Sequence, residues 1–236
     1  MPATDAAAAA AVPAMSPAPL PSAIRNARTL PECPKFKELF GSDFRVMDTF
    51  GKGSCFFHAW AAAVCAGYDW VKDRRVRETI GVSLRESVCK YANEELYNRV
   101  VEKVRKKYAA YKRDSGCRSP PTPQIPPFSA FRERLRNKTV WADLVMISFV
   151  AYTFGYNLLF WSDDDCAFYY GCDRLDVKKK LGTVLILWHN HSHFELIIRV
   201  AADGAVQRQF FWPKDRELLE RIEQAYNQTG RASLAT

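Results

Sequence analysis

Apolar positions along this chain alternate between helical spacing and short β-rich runs. Phe36, Leu39, Phe40 and Phe44 make a helix-like stripe, and Phe44 to Asp48 continues it as a strand or loop. The stretch from Phe56 to Val64 is long and apolar enough for a buried helix, with Ser54 as its N-cap. Between Ser83 and Lys112, Leu84, Val88, Tyr91, Leu96, Val100 and Val104 approximate one stripe, and Ser83 with Glu86 has the capping-box pattern, which predicts a helix there. Phe128 to Arg136 predicts a short helix. Thr139 is placed as the cap of a second, from Val140 to Phe154, whose Trp141, Leu144, Val145 and Ile147 make it a central packing element. Gly155 ends it. Strands follow at Asn157–Trp161, Cys166–Tyr170, from Val184 to Trp188, at His193–Val200 and at Val206–Trp212. Pro213 opens a last helix with Leu218, Leu219, Ile222 and Ala225 facing inward, and the chain is expected to fray from Gly230. Helices and strands in this order predict an α+β fold, a small mixed β-sheet packed between helices.

Composition sets the boundaries. Ala6 to Ala11 and the prolines at 2, 13, 17, 19 and 21 cannot bury enough side chain to offset ordering, so residues 1–30 are expected to be a disordered leader. Residues 31–228 are expected to form one domain, with a Pro-rich loop insertion at 119–127 and a flexible tail at 229–236. At 236 residues and 48% hydrophobic content the chain can bury a sizeable core. Seven cysteines, an odd number without paired spacing, argue for a reducing compartment, and hence a cytoplasmic location, over a disulfide framework. No apolar run approaches the roughly 20 residues that span a bilayer. Thirty-four basic against 26 acidic residues give a net charge of +8. That balance favours a solvated basic face, and no specific nucleic-acid motif accompanies it.

Two stretches carry candidate chemistry. Gly51 to Cys55 is a Gly-rich turn that delivers a cysteine onto the start of the apolar helix. A thiol there lies near unpaired backbone N–H groups and the positive end of the helix dipole, which favours the thiolate. The backbone N–H groups of Lys52, Gly53 and Ser54 are candidates for an oxyanion hole beside it. Far down the chain, His193 and Glu195 lie two apart at the start of a strand and so share a face. A cysteine in one region with a histidine and a carboxylate in another is the arrangement that nucleophilic thiol catalysis requires. Asp48 is a second carboxylate near the cysteine in sequence. Zinc is not expected, because the chain has neither Cys-x-x-Cys nor His-Glu-x-x-His, and no cofactor is expected.

The segment Gly51-Lys52-Gly53-Ser54-Cys55-Phe56-Phe57-His58-Ala59 resembles the Asp-Gly-Asn-Cys-Leu-Phe-Arg-Ala signature of OTU (ovarian tumour) cysteine proteases. His193-Phe194-Glu195 is similar to their terminal His-aromatic-Asn/Asp/Glu signature, and Trp141-Ala142-Asp143-Leu144 through Asn157–Trp161 looks like the family's Trp-initiated helix and strand. The resemblance runs in the right order from about Phe44 to about Val200. It departs at Lys52 for Asp, Ser54 for Asn and His58 for Arg, a pattern that suits a divergent, viral member. The resemblance implies a papain-type cysteine protease fold. It also implies a deubiquitinase that hydrolyses isopeptide bonds after the C-terminal glycine of ubiquitin or a ubiquitin-like protein. Cys55 would be the nucleophile, His193 the base, Glu195 the orienting carboxylate, and Trp188 and Phe194 walls of the substrate channel. Two alternatives stay open: a viral leader or polyprotein protease that cleaves its own precursor, and a catalytically inactive OTU-like module that binds ubiquitin.

Overall fold

The computed structural model describes residues 27–29, 34–50, 53–65, 67–68, 73–114, 124–162, 167–170, 182–189 and 192–232. In chain order these form β1 (Arg28–Thr29), α1 (Pro34–Phe40), β2 (Phe44–Met47), α2 (Cys55–Val64), α3 (Arg74–Tyr91), α4 (Glu94–Asp114), α5 (Phe128–Arg136), α6 (Leu144–Phe154), β3 (Tyr156–Ser162), β4 (Ala167–Tyr170), β5 (Gly182–His189), β6 (His193–Val200), β7 (Val206–Gln207) and α7 (Arg216–Ala232). The sheet runs β1-β2-β6-β5-β3-β4, with β7 paired to the end of β6. Only β3 and β5 run parallel among these pairs, so the sheet is mixed and the fold is α+β.

The unbroken apolar runs of β3 and β5 follow from burial on both faces. Phe160 meets Phe56 of α2, with ring centroids 6.3 Å apart. Its neighbour Trp161 points the other way and meets Phe36 of α1 at 5.2 Å. Alternation along one strand thus places α1 and α2 on opposite faces of the sheet. On the α2 side, α3 packs against α2, and α6 packs against β3 and α4.

Several boundaries differ from the sequence expectation. Helix α3 starts at an Asp73 cap, whose carboxylate accepts from Arg75 N at 2.7 Å, nearly three turns ahead of the Ser83–Glu86 pattern, which lies inside the helix. The single helix expected from Ser83 to Lys112 is two, parted at Ala92 and Asn93, and Asn93 Oδ1 accepts from Leu96 N at 2.8 Å. Thr139 does not cap α6. Asp143 does, accepting from Met146 N at 2.9 Å, while Thr139 Oγ1 bonds Asn137 at 2.7 Å. Gly155 closes α6 in the left-handed conformation, φ 69°, as its position predicts. The strand expected over Val206–Trp212 is only Val206–Gln207, because Asp215 turns the chain back by accepting from Phe211 N and Gln207 Nε2, both at 2.8 Å. Helix α7 accordingly begins after Asp215, beyond Pro213, and continues through Ala232, past the tail boundary expected at 229. At the other end, Arg28 pairs with Val46, so the sheet begins inside the 1–30 leader. Residues 1–26, 119–123, Cys166 and the lysines at 178–180 lie outside the described residues. Among the described residues no helix is long and apolar enough to cross a membrane.

Candidate active site

Cys55 is the first residue of α2 and is buried, 1% exposed. The turn that presents it depends on Gly53, at φ +87°, where a Cβ would lie 2.5 Å from the backbone C and O of Thr139. Ser54 occupies the N-cap position, and its carbonyl accepts from His58 N at 3.0 Å, but its hydroxyl does not cap the helix. Instead Ser54 Oγ donates to Lys138 O at 3.0 Å and accepts from Arg85 Nε at 3.1 Å. Lys52 lies outside the described residues. The expectation of a readily ionised thiol is corrected: burial pushes the Cys55 thiol up from its ordinary value. Backbone hydrogen bonds from Phe194, Phe56 and Cys55 itself and the charge of Arg85 act in the opposite direction without overcoming that desolvation.

The packing of Phe56 against Phe194 joins the two halves of the site. Strands β5 and β6 form a hairpin in which His189 faces His193 and Trp188 faces Phe194. The Phe194 ring is in the core, against Phe56 at 6.0 Å and Phe160 at 5.5 Å, and Trp188, half-buried, stacks on it at 6.2 Å with 15° between planes. His193, one residue before Phe194, is partly exposed at its side chain. The Thr49 hydroxyl donates to the Phe194 carbonyl and draws the segment ahead of the nucleophile turn against β6. In consequence Asp48 Oδ1 lies 3.9 Å from His193 Nε2. Glu195 is buried, 3% exposed, and one ligand atom from each of Asp48, His193 and Glu195 lies within 4.8 Å of the others. The structure therefore brings two carboxylates to His193. Among the described residues, the same three side chains are also grouped closely enough to hold a divalent ion.

Arg85 is the residue that sequence reasoning missed. It lies in the middle of α3 in a strongly polar stretch, which predicts exposure, yet it is 0% exposed. Its Nη2 donates to Gly53 O at 2.7 Å and Val140 O at 2.6 Å, its Nη1 to Leu135 O at 3.1 Å and Arg134 O at 3.4 Å, and its Nε to Ser54 Oγ. The guanidinium carbon sits 4.3 Å from the centroid of the Phe57 ring. Next along α2, His58 is buried beneath α3, with Nδ1 2.8 Å from Tyr68 Oη and Phe50 edge-on at 5.4 Å. Burial holds His58 down at about 4.

The fold is similar to that of an ovarian tumour (OTU) domain solved in complex with ubiquitin, at 16% identity and a TM-score of 0.44, over 82% of this chain and 90% of that one. It is also similar to the Hazara virus OTU bound to ubiquitin, at 15% identity and a TM-score of 0.40, over 67% of this chain and 83% of that one. A further similar structure is the viral OTU domain protease from Taggert virus, at 11% identity and a TM-score of 0.35, over 71% and 84% of the two chains. No family profile matches the chain, and no curated protein matches it by sequence. At these scores the overlap is partial, and the chemistry rests on the residues themselves.

Proposed function

We propose that this chain is an OTU-like cysteine peptidase that hydrolyses the bond after the C-terminal glycine of ubiquitin or a ubiquitin-like protein. The observation that carries the proposal is the packing of α2 on β6, where Phe56, next to Cys55, meets Phe194, next to His193, with ring centroids 6.0 Å apart. The motif resemblance at Gly51–Ala59 and His193–Glu195 supplies the substrate class.

A thiol pushed up by burial rests as the neutral group, so the reaction begins with a proton transfer. His193 takes the Cys55 proton as the sulfur attacks the scissile carbonyl carbon. The carbonyl oxygen becomes an oxyanion, stabilised by backbone N–H groups of the turn from Lys52 to Ser54 and of the α2 N-terminus. Collapse of this intermediate breaks the C–N bond, and the imidazolium gives its proton to the leaving amine. The acyl group is left on sulfur as a thioester. Water, deprotonated by His193, then attacks the thioester carbon and releases the carboxylate and the thiol. Glu195 orients the imidazole from the buried side, with Asp48 on the solvent side.

The test is incubation of the protein and its Cys55→Ala variant with a ubiquitin probe carrying an electrophilic C-terminus. An adduct with the wild type alone supports both nucleophile and substrate class. No adduct with the wild type overturns the substrate assignment, and an adduct that survives Cys55→Ala overturns the nucleophile.

A further inference from the structure

Arg85 is a buried cation whose hydrogen-bond partners are all neutral. Its hydrogen bonds end on four carbonyls and one hydroxyl, and among the described residues no carboxylate lies within ion-pair distance of it. Burying an uncompensated charge is costly, so a residue that served only to fill this space would do so better as a neutral side chain. Part of the charge is offset by the C-terminal end of α5, whose Arg134 and Leu135 carbonyls point at the guanidinium. The other contacts converge on the nucleophile turn. Gly53 and Ser54, the two residues before Cys55, are both held by Arg85, and Val140 and Lys138 from the segment after α5 close the same knot.

The peptide between Gly53 and Ser54 gives this arrangement a direction. In a trans peptide the carbonyl and the N–H point in opposite senses. With the Gly53 carbonyl fixed on Arg85 at 2.7 Å, the Ser54 N–H points from the opposite edge of the same peptide plane, away from the guanidinium. A cation on the carbonyl oxygen also polarises the peptide and strengthens its N–H as a donor. Among charged groups, Arg85 is the one whose field acts on the Cys55 sulfur.

We infer that Arg85 is a positioning residue for the Cys55 site. Its guanidinium clamps the Gly53–Ser54 peptide so that the Ser54 N–H faces the oxyanion, and its unneutralised charge awaits the anion formed during the reaction. The inference rests on Cys55 as the nucleophile.

The test uses Arg85→Lys, which keeps the charge but loses the fork, and Arg85→Met, which keeps approximate volume but loses both. Two readouts are taken: the pH profile of Cys55 alkylation by iodoacetamide, which needs no protein substrate, and kcat and KM on ubiquitin bearing a fluorogenic C-terminal amide. For R85M the alkylation midpoint should rise by about one pH unit or more. For R85K the midpoint should stay with the wild type while kcat falls about 100-fold at an unchanged KM, the size of effect seen when one oxyanion donor is lost. An unmoved alkylation profile in folded R85M overturns the inference. Should R85M not fold, R85K decides alone: a fallen kcat with a wild-type alkylation profile supports the clamp, and an unchanged kcat overturns it. Wild-type protein that fails to turn over ubiquitin while its thiol still depends on Arg85 refutes the substrate and leaves the clamp standing.

Discussion

His58 makes the folded protein sensitive to acid in a way that can be worked out from its surroundings. It is 2% exposed, beneath Gly81 of α3, where even a Cβ would lie 2.7 Å from its Cε1, so no water-filled space surrounds the ring on that side. Desolvation is the main reason it is held at about 4 against an ordinary value of 6.5, with Arg85 and Arg77 adding to the effect and Glu78 opposing it. The unfolded chain therefore binds a proton that the folded chain refuses. Stability is fully present above pH 6.5 and is lost as pH falls through the interval down to about 4. The full linkage is about 3 kcal/mol, of which roughly 2 kcal/mol should be lost between pH 7.0 and 4.5. His58→Asn keeps an acceptor for the Tyr68 hydroxyl but cannot titrate. Urea denaturation followed by tryptophan fluorescence at several pH values should show a steeper loss for the wild type than for H58N, the carboxylates common to both cancelling in the difference. Stability profiles that run parallel within about 0.5 kcal/mol would refute the reasoning.

Two further outcomes follow from the same geometry. Gly53→Ala should cost about 3 kcal/mol or more by urea denaturation, since left-handed backbone and a clash with the Thr139 main chain, which no rotamer relieves, add together; a loss below about 1 kcal/mol would contradict the turn described. Glu195→Gln should lower kcat on a ubiquitin substrate about tenfold or more, through lost orientation of His193, whereas Asp48→Asn, at a carboxylate 84% exposed, should change it less than about threefold. The reverse order would move the orienting role to Asp48.

The parts of this fold that the sequence discloses are those where one local force dominates. Burial alone fixes α2, β3 and β5, whose apolar runs leave no polar face to compete, and Phe128–Arg136 is a helix over the span its pattern predicts. Gly155 stops α6 because the left-handed position it occupies disfavours a Cβ. Boundaries fail where two caps compete: Ser83 and Glu86 have the spacing of a capping box, but Asp73 starts the helix, and only tertiary packing decides between them.

The site divides along the same line. The candidates Cys55, His193 and Glu195 are read from motif and period, because each is set on its element by local spacing. Asp48 is read only as a carboxylate near the cysteine and Arg85 not at all, for one physical reason: their places beside these candidates arise from contacts between distant segments. Asp48 stands seven residues before the cysteine, too far for the familiar turn, and reaches His193 because Thr49 is tied to the Phe194 carbonyl 145 residues away. Arg85 is one of several basic residues on an outwardly polar helix, and only its i−4, i+3 and i+4 neighbours Gly81, Val88 and Cys89, buried with it, mark its side as the inward one. A second signal is negative. Lys52 and Ser54 stand where the motif that the turn resembles carries an acidic residue and an amide. A turn that needs Gly53 in a left-handed conformation must then be held from outside, and a long, fork-ended donor on the neighbouring helix is the chemistry that can reach two of its residues at once.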